Sequence, residues 1–146
     1  MAYGTNAPFG LRPLSSISGG SWTEKVNEYF IYADAAGTTT YGTSIFTGDP
    51  VIFNPAVATT LAGAPTIARY PIDNATVVNE VTPVLGVFVG CEYLSTVTGT
   101  NNLIKSPYWP ANASVVPGSK IKAFVIDDPD VVYDIQVSTA TNVLDD

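Results

Sequence analysis

The chain has 146 residues and a mass of 15.4 kDa, the size of one domain plus an extension. Thirteen acidic residues against six scattered basic ones give a net charge of −7, which excludes nucleic acid as a main partner and makes an anionic membrane surface repulsive. With no histidine and a single cysteine, Cys91, there is no Ser–His or Cys–His couple, no imidazole metal site and no internal disulfide framework.

In chain order, the first 24 residues read as an extended N-terminal arm and residues 25–146 as a β-rich domain. The arm's core, "NAPFGLRPLSSISGG" (6–20), carries Phe9, Leu11, Leu14 and Ile17 but is broken by Pro8, Gly10, Pro13, Gly19 and Gly20. It has the period of neither helix nor strand, so its apolar side chains need shelter that it cannot build itself. Ordering about fifteen residues costs roughly 15–30 kcal/mol of backbone entropy. Burying the four apolar side chains returns only about 6–12 kcal/mol. An ordered arm therefore needs main-chain pairing with a strand edge, and the expectation is an edge on another subunit, with Arg12 meeting a partner carboxylate. The competing reading is a disordered or self-packed terminus.

"SWTEKVNEYFIYA" (21–33) has Trp22, Val26, Tyr29, Phe30 and Ala33 at helical spacing and a capping box at Ser21 and Glu24. Tyr29, Phe30, Ile31 and Tyr32 are strand formers, however, so a strand over 29–33 is favoured over a helix, with room for a helical turn just before it. From there the pattern is strand and turn, since eleven Pro and twelve Gly seldom leave a dozen residues uninterrupted. Strands are predicted at "EYFIYA" (28–33), "TSIF" (43–46), "VIF" (51–53), "PTIARY" (65–70), "VLGVFVGCEYL" (84–94), "KIKAFVI" (120–126) and "VVYDIQV" (131–137). "TGDP" (47–50) and "DDPD" (127–130) are turns. In the last strand Val131, Tyr133, Ile135 and Val137 alternate with more polar positions. Gly86 and Gly90 inside an apolar strand point to a bulge or a close backbone approach. The fold class is therefore all-β, a compact small barrel with an extended N-terminal arm, or the β-tulip-like domain that the family resemblance described below implies. Cys91 reads as a small buried hydrophobe.

Candidate chemistry is sparse. Asp127, Asp128 and Asp130 surround Pro129; they cap their own turn, contact a cation at a subunit interface, or, least in keeping with the pattern, act as an acid–base pair. In "SPYWP" (106–110), Tyr108 and Trp109 stand between two prolines and either grip a sugar or protein partner or fold back over the core. No glycine-rich phosphate loop, metal-ligand spacing or cofactor motif is present, and no enzymatic activity, cofactor or metal is expected.

Five stretches, "NAPFGLRP", "IFTGDPV" (45–51), "LGVFVGCEY" (85–93), "PYWP" and "VIDDPDVVYDIQV", resemble in this order a family of tailed-bacteriophage virion proteins, the head decoration or cement proteins. The resemblance implies a non-enzymatic structural protein on the outer surface of the phage head. It would stabilise the joints between major capsid subunits, as a homo-oligomer, a trimer, without contact to nucleic acid or membrane. It also implies further strands beyond "DIQV", absent in a short member or supplied by another chain. The interface residues it singles out with the arm reading are Pro8, Phe9, Gly10, Leu11, Arg12, Pro13, Leu14, Ile17, Trp22, Tyr108 and Trp109. The alternative is a virion host-adhesion or carbohydrate-binding module working through the Tyr108/Trp109 loop.

Overall fold

The computed structural model describes residues 10–54, 65–71, 83–96 and 102–135. Ten strands follow one another: β1 (Arg12–Ser16), β2 (Asn27–Ile31), β3 (Ile45–Phe46), β4 (Pro50–Phe53), β5 (Ile67–Arg69), β6 (Gly86–Ser95), β7 (Asn102–Ser106), β8 (Tyr108–Trp109), β9 (Ile121–Ile126) and β10 (Val131–Asp134). Among the described residues there is no helix, and the domain is all-β.

Six strands form the main sheet in the order β2-β9-β6-β4-β5, with β7 also on β6; β1 with β10 and β3 with β8 make two separate ribbons. Every ladder is antiparallel. Of the two forms expected, a small barrel or a β-tulip-like domain, the closed barrel is not formed. One parallel bridge, Phe30 with Thr66, brings β2 towards β5, but a single bridge is no ladder, and the sheet stays open.

The strands form where period-2 patterning meets a partner. In β9, Ile121, Ala123 and Val125 point into the core, while Lys122 and Phe124 are only half-buried. β6 lies at the centre of the sheet, and Val89 is its bulge: Phe88 pairs with Val125 and Gly90 with Phe124. The extra residue shifts the side-chain phase, so that Phe88 and Cys91 both reach the same core although three positions apart. Gly86 lies against the Ile126 carbonyl, where a Cβ has no room. Both glycine expectations, a bulge and a close approach, are met within one strand. The core is completed by Ile31, Ile45, Val51, Ile67 and Trp109. Each such side chain contributes on the order of 1.5–3 kcal/mol by leaving water.

Two local expectations are corrected. The capping box at Ser21 and Glu24 starts no helical turn: Ser21 bridges Ser15, and Glu24 has φ +59°, which a third helical position cannot adopt. The last predicted strand ends at Asp134, leaving Ile135 exposed outside it, and Val137 lies outside the described residues.

Candidate functional site

The arm's described part does not reach outward. Arg12–Ser16 is β1, and it pairs with β10 of its own molecule: Arg12 with Asp134, Pro13 with Tyr133, Ser15 with Val132 and Ser16 with Val131. The main-chain pairing that the entropy argument demanded is present, but the strand edge belongs to the same chain. This corrects the expectation of an edge on another subunit for residues 12–16; Pro8 and Phe9 lie outside the described residues. Arg12, expected to meet a partner carboxylate, instead contacts Asp134 at 2.6 Å. Both side chains are well exposed, so the pair contributes about 0–1 kcal/mol.

The ribbon has two unlike faces. Cross-strand partners share a face, and successive residues alternate. Pro13, Ser16, Val131 and Tyr133 lie on one side and are half-buried. The other side carries Arg12, Val132 and Asp134. Leu14, at the register shift after Pro13, and Ile17, just beyond Ser16, stand out with Val132, exposed by 54, 75 and 39%. The result is an apolar stripe in water, framed by one ion pair.

The ribbon is anchored at Gly10 and Leu11. The Leu11 N–H donates to the Gly48 carbonyl at 2.9 Å, and the two glycines approach backbone to backbone. Gly48 has φ +93°, a turn conformation that glycine adopts without penalty. That turn is tied in by the Gly48 N–H to the Phe88 carbonyl (2.8 Å) and the Phe88 N–H to the Asp49 carbonyl (2.9 Å). The Thr47 hydroxyl lies within hydrogen-bonding distance of the carbonyls of Val89, the bulge residue, and Pro107. Next to it β3 pairs with β8, Ile45 with Trp109 and Phe46 with Tyr108. Residues 10–13, 45–51, 85–93 and 107–110 are thus linked through this turn, and residues 131–134 join them through β10.

Tyr108 and Trp109 part company. Trp109 is fully buried, its ring edge-on to Tyr93 and its Nε1–H donating to the Tyr41 carbonyl at 3.0 Å. It cannot form part of an exposed platform or interface, because neighbouring strand residues point to opposite sides. Tyr108 is exposed and stacks on Phe46 with ring centroids 5.7 Å apart. Phe46, expected only as a strand residue, is thus a surface aromatic. Trp22 is half-buried near the ribbon, and among the described residues its buried indole N–H has no acceptor.

The aspartates at the β9–β10 turn do different things. Asp128 accepts the Asp130 backbone N–H at 2.9 Å, the local cap expected of a turn aspartate. Asp127 accepts from Tyr29 Oη at 2.6 Å and from Asn27 Nδ2 at 2.8 and 3.0 Å. Burial pushes the Asp127 carboxyl up, but the Tyr29 and Asn27 hydrogen bonds, a backbone N–H and Lys25 outweigh it and leave the group below the usual carboxylate range. In return the hydrogen bond to Asp127, with burial and the carboxylate charge, pushes the Tyr29 phenol up to about 12. This cluster fastens β2 to the end of β9. Among the described residues no three acidic or cysteine side chains gather as a metal site.

No protein-family model matches the chain, and no curated protein or solved structure matches it significantly.

Proposed function

We propose that the protein is a non-enzymatic structural component of a tailed-bacteriophage virion. In this reading it sits on the outer surface of the head and stabilises the joints between major capsid subunits, as a homo-oligomer, a trimer, in an open β-tulip-like form. The resemblance of the five stretches supplies the family, and the links between their described residues support treating them as one signature.

The observation that carries the reading is the ribbon's exposed stripe of Leu14, Ile17 and Val132. Covering these side chains on a neighbouring surface removes apolar area from water and adds contacts that must break before capsid subunits separate. Three copies of a modest contact act together by avidity. Leu14→Asp with Ile17→Asp tests this, since both side chains already face solvent and the fold should persist. The double variant should stay in the supernatant when expanded heads are sedimented, whereas the parent protein pellets with them. Equal pelleting of both would sink the reading.

A second reading keeps one observation of its own. The stacked, exposed Phe46 and Tyr108 form an aromatic surface of the kind that sugars stack on, and a host-adhesion or carbohydrate-binding module would use it without Trp109. Saturable glycan binding lost in Tyr108→Ala would favour it.

A further inference from the structure

Between the ribbon and the main sheet runs a half-open groove of about 350 Å³. Leu11 and Tyr133 line it from the ribbon side and Leu85 and Ile126 from the sheet side, and Asp127 and Asp128, at the turn that joins β9 to β10, line it too. We propose that this groove receives an extended segment of a partner protein in which an apolar side chain is followed by a lysine or arginine.

Charge decides the chemistry of the occupant. Among the described residues no lysine or arginine lines the groove, while two carboxylates do. Tyr133 registers them: burial first, then Asp128 and Asp127, push its phenol above the ordinary value. An anionic segment would be repelled, and a wholly apolar one would strip water from the carboxylates without replacing it. A long cationic side chain lays its methylenes along the apolar walls and its charge against the carboxylates. Shape decides the class. A small ligand would be only half enclosed, whereas specific pockets cover most of a ligand's surface. A chain running along the open side meets no such limit. This inference goes beyond the capsid reading and holds for any protein that carries the segment.

The test uses the full chain, isotope-labelled for NMR, and two capped hexapeptides of equal apolar content, one alternating Leu with Arg and one alternating Leu with Glu. The Leu-Arg peptide should shift amides saturably at Leu11, residues 84–87 and residues 126–133, and the Leu-Glu peptide should not. Asp128→Asn retains an acceptor for the Asp130 N–H and should weaken Leu-Arg binding about tenfold, equivalent to about 1.4 kcal/mol. Val84→Arg, at a half-exposed position of the rim, should abolish it. Equal binding of both peptides, shifts spread over acidic residues elsewhere, or no saturable shift would each overturn the proposal.

Discussion

Gly10 and Gly48 face each other so closely that a Cβ on Gly10 would lie 2.5 Å from the Gly48 carbonyl oxygen. Nothing wider than a hydrogen fits there, so the sequence at position 10 sets whether the ribbon can seat. Gly10→Ala should cost about 1–3 kcal/mol by overpacking. Hydrogen exchange should then speed up first at the amides of β1 and β10. Gly20→Ala, where a Cβ meets nothing within 4 Å, is the control and should change stability by less than about 0.5 kcal/mol.

Trp109 is the largest fully buried side chain. Trp109→Ala should destabilise by about 3–5 kcal/mol, read as a lower denaturant midpoint. Trp109→Phe keeps an aromatic ring in the core but leaves the Tyr41 carbonyl without its indole donor, so it should fall between the two.

The Asp127–Tyr29 couple makes stability depend on pH at both ends. Because the folded Asp127 carboxyl titrates below its ordinary value, its contribution is present above about 3.9 and is lost as pH falls through the folded value. Because the folded Tyr29 phenol titrates near 12, its contribution is present below about 10 and is lost as pH rises from there towards 12. Tyr29→Phe should move acid unfolding to higher pH and flatten the alkaline loss, both measurable by denaturant titration across pH.

Burial pushes the Cys91 thiol up to about 12, and its Sγ lies 3.3 Å from the Tyr108 carbonyl oxygen. A thiol so protonated and covered is a poor nucleophile. Native protein at pH 8 should therefore react with a thiol reagent only as fast as it opens, and stoichiometrically once denaturant is added. Fast reaction in the folded state would contradict the packing at β6.

How much of this could be read beforehand follows from range. "KIKAFVI" and "VLGVFVGCEYL" announce strands because alternation and apolar content are local. The bulge at Val89 was half visible in its flanking glycine, Gly90, although its phase shift depends on β9. β1 was not legible as a strand, because its proline-broken sequence has no period and its partner lies some 120 positions away: Arg12 and Asp134 are 122 apart. The exposed stripe was legible for Leu14 and Ile17 as apolar residues in search of cover. It was not for Val132, whose face is fixed only by pairing with Ser15. Tyr108 and Trp109 were given one role as loop neighbours; a two-residue strand gives them opposite sides, one a surface and one the core. The missing barrel has the same origin, since closure depends on how the ends of a sheet meet.

The lacing of β1 to β10 also constrains how the protein comes into being. A chain leaving the ribosome presents β1 long before β10 has been made, so the backbone of Arg12–Ser16 must wait unpaired while the residues up to Asp134 are synthesised. Pairing between such remote partners is slow to form. Among the described ladders, β1 with β10 is therefore the one whose two strands wait longest for each other.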